Sequence, residues 1–119
     1  MNPETKIEND ACKLIYDKLG VISSKLKVPG QTGFPDRLFW LPGGKPLLIE
    51  FKQPGEDPEP KQLHVHKQLR QLGYTVMVCD NKLSALQVVV NELVKTTEHW
   101  HKKKLQVLAM AQEYINKRR

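Results

Sequence analysis

The sequence predicts a single α/β domain built on a mixed β-sheet flanked by helices. Three observations predict it. Apolar residues recur at helical spacing near both ends of the chain and again in its middle. Short runs rich in β-formers lie between these stretches, bounded by Pro and Gly. A helical stretch also separates two of those runs, as the crossover of a βαβ unit requires. At 119 residues and 39% hydrophobic, the chain can bury one core but not two ordinary ones. It contains no internal repeat and no low-complexity segment.

Each element has its own signal. Ile7, Ala11, Leu14, Ile15 and Leu19 fall on one helical face and Gly20 supplies a stop, so residues 5–19 read as an amphipathic helix. Glu8 lines up with Cys12, Ile15 and Leu19 and borders the buried face; an ordinary surface acid in the first turn, where negative charge suits the helix dipole, is the other reading. VISSKLKVPGQTG begins as a strand and ends in a Pro and Gly loop. RLFWL and PLLIEFKQ flank Pro42, Gly43, Gly44 and Lys45, a hairpin signal. QPGEDPEP is a loop, and Pro60 suits the first turn of a helix that runs to about Leu72 and stops at Gly73. YTVMVCD is a buried strand. Leu83, Leu86, Val89, Val90, Leu93 and Val94 then mark a helix, and Trp100, Leu105, Leu108, Met110 and Ile115 mark a last one.

Charge is unevenly placed. The net charge is +6, with a pI near 9.4, but residues 99–119 carry +5 of it and leave +1 for the rest. A basic C-terminal segment of this kind is either a solvated helix end or a nucleic-acid contact. No apolar run approaches the roughly 20 residues that cross a bilayer, and the N-terminus is polar and acidic, so the expectation is a cytoplasmic protein that is neither secreted nor membrane-bound. Cys12 and Cys79 lie in apolar patterns without zinc or disulfide spacing and read as reduced core thiols.

The chemistry lies in GFPDRLFWLPGGKPLLIEFKQ, residues 33–53. Side chains alternate along a strand, so Leu48, Glu50 and Lys52 share one face while Leu47, Ile49 and Phe51 share the other. Glu50 and Lys52, about 7 Å apart along the strand, are either an ion pair on an exposed edge or part of a site. Asp36 favours the site. A hard cation such as Mg²⁺ takes a few carboxylate oxygens and leaves its other positions to water and phosphate, which Asp36 and Glu50 would supply. Lys52 beside them would hold or deprotonate an attacking water and offset phosphate charge. Geometry sets a condition. A tight turn centred on Gly43 and Gly44 pairs Leu41 with Pro46 and Asp36 with Phe51, which points Asp36 to the wrong face; a bulge, an odd loop length or a strand break near Pro35 is needed.

Further candidates follow in the next helix, where Gln62 and His66 lie at i and i+4 on one face. Gln62 is either an aid to the phosphate or water, or a helix-surface residue. His64 and His66, like His99 and His101, are spaced i and i+2 and do not converge on a zinc. There is no glycine-rich phosphate loop, no GxSxG elbow and no Cys-based zinc knuckle.

The order Glu8, then Gly33-Phe34-Pro35-Asp36, then Glu50-Phe51-Lys52, then Gln62 resembles the PD-(D/E)xK nuclease superfamily, and within it the minimal stand-alone form of the VRR-NUC (virus-type replication-repair nuclease) domain. The resemblance covers residues 5 to about 81, with residues 82–119 as additional helices within one domain. It implies a restriction-endonuclease-like fold of order αβββαβ. It also implies that Asp36, Glu50 and the Phe51 carbonyl bind Mg²⁺ or Mn²⁺, with Glu8 as a further candidate, that Lys52 acts on the nucleophilic water and that Gln62 supports the site. Stand-alone members are associated with homodimers that cut branched DNA such as four-way junctions, which implies a structure-selective DNA endonuclease with no organic cofactor. The basic candidates for DNA contact are Lys25, Lys27, Arg37, Lys61, His66, Lys117, Arg118 and Arg119. One departure is visible: Glu59 and Pro60 stand where a serine or other small capping residue is expected before Gln62. A non-catalytic nucleic-acid-binding protein, and a nuclease of RNA or linear DNA, are the alternative readings.

Overall fold

A computed structural model describes residues 1–117, apart from the side chains of residues 96–101, 103 and 104. The first helix, α1 (Pro3–Leu19), begins where the Asn2 side chain accepts the Glu4 N–H at 2.8 Å, with Pro3 supplying the preset φ of a first turn. It ends at Gly20, whose φ of 68° is left-handed and whose N–H donates to the Tyr16 carbonyl. Three strands follow, β1 (Ser23–Lys25), β2 (Arg37–Leu41) and β3 (Lys45–Phe51), then α2 (Pro60–Gln71), β4 (Thr75–Cys79) and α3 (Lys82–Lys117). The expected order of helix, three strands, helix, strand is present.

The sheet runs β1-β2-β3-β4, antiparallel through β1, β2 and β3, with β4 parallel to β3. That last pairing makes α2 the crossover of the expected βαβ unit. On one sheet face Phe39, Leu41, Leu47, Ile49 and Phe51 pack with Ala11 and Ile15 of α1 and with Ala85 and Val89 of α3 to form the core. The start of α3 is therefore part of the same core as residues 5–81. On the other face α2 lies near β4, where the Arg70 guanidinium donates to the Val76 carbonyl at 2.7 Å. Leu38, Leu48, Leu69 and Leu72 line an open apolar groove beside it.

Two helices were expected after residue 82; the structure has one of 36 residues. No Gly or Pro interrupts residues 82–117, so the lapse in apolar periodicity around Lys95–Trp100 marks the point where the helix leaves the core rather than a break. Beyond it, Leu105, Val107, Leu108, Met110 and Ile115 are exposed. Both cysteines are free; Cys79 is buried and Cys12 half-buried, and burial raises both thiols above their ordinary range. No helix among the described residues is long and apolar enough to cross a membrane.

Candidate active site

The hairpin places the first acid. Pro42–Gly44 forms a three-residue turn in which Gly43 and Gly44 take φ of 81° and 73°, a region open to glycine. Leu41 therefore pairs with Lys45, and the register continues through Leu38 with Leu48 to Arg37 with Ile49. The two-residue turn and its pairing of Leu41 with Pro46 are corrected: the odd loop length shifts the register by one. One step further along the same register sets Asp36 opposite Glu50, on a shared face. Its Oδ2 accepts the Phe51 N–H at 2.7 Å and its carbonyl accepts the Leu26 N–H at 3.0 Å. A residue's N–H and C=O point to the same strand edge, so the Phe51 carbonyl lies on the Asp36 side.

The loop before Asp36 is held against α2. Gly33 has a φ of 91°, and a Cβ there would lie 2.9 Å from the Lys61 carbonyl oxygen and 3.0 Å from Val65 Cγ2. Glycine is thus required twice over, for its backbone and for the close approach.

Glu50 lies only 2% exposed at the centre of the site. Burial raises its carboxyl most; the Asp36 charge and a hydrogen bond with Asp36 raise it further, against the Lys52 charge, and it reaches about 8. A carboxyl raised this far keeps its proton at neutral pH and can donate it toward Asp36. Lys52 is also buried, and its Nζ lies 3.6 Å from Glu4 Oε1. Gln62 connects the site to its helix. Its Oε1 accepts the Glu59 N–H at 2.8 Å as half of a capping box, which turns Nε2 toward Glu50 Oε2 at 3.2 Å. The Glu59-Pro60 departure therefore resolves into a working cap, and Gln62 faces the site rather than solvent. His66, one turn on, is fully buried, with Nε2 3.4 Å from Glu50 Oε1. Burial, then the nearby Arg70 charge, hold its imidazole below the ordinary range.

A divalent cation fits this arrangement. Glu50 Oε1 is buried without a hydrogen-bond partner, beside a second carboxylate. Among the described residues no cluster of three or more His, Cys, Asp or Glu is placed to hold a metal. Two carboxylates and a backbone carbonyl form the donor set that suits Mg²⁺ or Mn²⁺, which leave several positions to water and phosphate.

Asp36, Glu50, Lys52 and Gln62 thus come together, and three other expectations change. Glu8 does not join them, because its Oε2 is 2.6 Å from Arg37 Nε on the core side of the sheet. Arg37 is engaged by the same ion pair and is not a free DNA contact. His66 is buried and cannot reach DNA. Lys25, Lys27 and Lys61 are exposed, as is Lys117, which pairs with Glu113 at 3.2 Å; Arg118 and Arg119 lie outside the described residues. The sequence reasoning missed Glu4, which meets Lys52 and whose charge also reaches Glu50. Helical spacing did not mark it, because Glu4 shares a helix face with Glu8 and the two acids meet different partners.

A four-stranded mixed sheet whose paired acids and lysine gather at the end of a central hairpin defines a PD-(D/E)xK-type fold. The comparisons agree. No family model matches the chain. A protein of Acyrthosiphon pisum secondary endosymbiont phage 1, "Putative nuclease p44", is 47% identical over 75 residues, covering 62% of this chain and 81% of that protein. A solved "VRR_NUC domain" superposes with a TM-score of 0.67 at 28% identity, covering 75% of this chain and 96% of that one. The chain belongs to the VRR-NUC family.

Proposed function

We propose that the protein is a divalent-metal-dependent, structure-selective DNA endonuclease that hydrolyses phosphodiester bonds in branched DNA such as four-way junctions. The observation that carries this reading is the buried Oε1 of Glu50, which has no hydrogen-bond partner and lies beside the half-buried Asp36, a place for a cation. Asp36, Glu50 and the Phe51 carbonyl would hold Mg²⁺ or Mn²⁺. When bound, the cation supplies Lewis-acid charge at the scissile phosphate. Lys52, directly after the end of β3, would orient the attacking water and offset charge on the phosphate as it is attacked. Gln62, locked by its cap, fixes Glu50 from the α2 side.

The nuclease relative supports phosphodiester chemistry, and the +5 carried by residues 99–119 supports an anionic polymer as substrate. Two coordinated cuts in a four-way junction need two sites related by a two-fold axis, so the reading includes a homodimer. The exposed apolar side chains of the second half of α3 offer a surface for it.

The test is incubation with labelled four-way junction, linear duplex, single-stranded DNA and RNA in Mg²⁺, Mn²⁺, Ca²⁺ or chelator, beside Asp36→Asn, Glu50→Ala and Lys52→Ala. The expected result is junction cleavage with Mg²⁺ or Mn²⁺ alone, lowered at least about 100-fold in each variant. Junction binding without cleavage by any form would make the protein a binding module. Cleavage confined to RNA or linear DNA would replace the substrate and keep the site.

A further inference from the structure

His66 lies on α2 one turn after Gln62, and its side chain is fully buried. Neither ring nitrogen has a hydrogen-bond partner. A buried imidazole with both nitrogens unsatisfied is a poor core residue, since leucine or methionine would fill the volume without orphaned polar atoms. The atom opposite is also orphaned. Nε2 and Glu50 Oε1 are 3.4 Å apart, not aligned for a hydrogen bond, and Oε1 has no other partner. The other oxygen of the same carboxylate, Oε2, already accepts from Gln62 Nε2 at 3.2 Å. One face of α2, read at i and i+4, therefore presents one nitrogen to each oxygen of Glu50.

We infer that His66 is a positioning residue for Glu50: its Nε2–H closes onto Oε1, so that Gln62 and His66 clamp the carboxylate in the orientation that receives the cation. The inference rests on the reading of Glu50 as a metal ligand. Each carboxylate oxygen has two lone pairs, so an oxygen that accepts one N–H keeps a lone pair for the metal. Hydrogen bonds to ligating carboxylates fix ligand geometry, and their loss typically lowers metal affinity about 10- to 100-fold. Gln62 is held by the Glu59 N–H and His66 by its burial, so both arms of the clamp are set by the fold before metal arrives.

The experiment compares the full chain with His66→Leu, His66→Met and His66→Gln; glutamine places an amide N–H near the position of Nε2. Mn²⁺ binding to the DNA-free protein is measured by calorimetry, and melting is followed in chelator. The expected result is a pair of apolar variants that melt at or above the wild-type temperature yet bind Mn²⁺ at least about 10-fold more weakly. The glutamine variant should return to within about 3-fold of wild type, since it restores the donor. Wild-type affinity in the apolar variants would reduce His66 to core filling and overturn the inference. So would apolar variants that fail to fold while His66→Gln folds, because the imidazole would then be a structural hydrogen-bonder. A wild-type protein that binds no Mn²⁺, or Glu50→Gln binding it as wild type does, would remove the ligand reading itself, a result separable from either of those.

Discussion

Glu50 is where burial and charge oppose each other most. Its carboxyl, raised from 4.5 to about 8, holds a proton in the folded state that the unfolded chain has already released. The folded state thus binds more protons between those values, and its stability falls as pH rises through them. For the metal-free protein the expected outcome is a loss on the order of a few kcal/mol between about pH 5 and pH 8. Thermal melts in chelator would show it, Glu50→Gln would flatten it, and added Mn²⁺ would oppose it by binding the ionised pair. Gly33→Ala is expected to destabilise by about 1–3 kcal/mol, from the left-handed backbone and the contact with the Lys61 carbonyl, as a denaturant titration would measure. At this scale Asp36, Glu50, Lys52 and Gln62 were legible because a residue-type pattern on a strand and a helix start carries them. Glu4 was not, because its approach to Lys52 depends on how the start of α1 sits over the end of β3, which no local spacing records.

The hairpin is the element on which the site depends. Its three-residue turn sets a register that carries Asp36, one residue before β2, to the face of Glu50, and a slip of one would send Asp36 to the core side. Deleting Pro46, which keeps the turn but shortens β3 by one residue and sets Phe51 opposite Asp36, is therefore expected to lose at least about 10-fold in Mn²⁺ affinity even where the protein folds. Retention of wild-type affinity would show that strand register does not place Asp36. The sequence reading required a bulge, an odd loop length or a strand break near Pro35 without deciding among them, because Pro42-Gly43-Gly44-Lys45 is compatible with two- and three-residue turns alike. It misread α3 as two helices for a related reason: apolar periodicity reports burial, and a helix that projects beyond the core loses that signal without ending. Helix existence was readable, its continuity less so.

For the whole molecule, element order and a parallel β4 were legible because a strand-helix-strand pattern admits few connections. The unequal charge distribution was legible as well. Ending the chain after Lys104 removes Lys117, Arg118 and Arg119 and side chains that are exposed where described. Stability should change by less than about 1 kcal/mol, while the salt slope of DNA binding should fall by about 2–3 if those three charges meet phosphates. An unchanged slope would make the segment a solvated helix end. In the proposed site a proton and a divalent cation compete for the carboxyl of Glu50 beside Asp36. Mn²⁺ calorimetry at pH 7 in buffers of different ionisation enthalpy measures this competition directly. The expected result is release of about one proton per metal bound, declining above about pH 8 and absent in Glu50→Gln, which also binds more weakly. Mn²⁺ binding without proton release, at equal strength in wild type and Glu50→Gln, would contradict it.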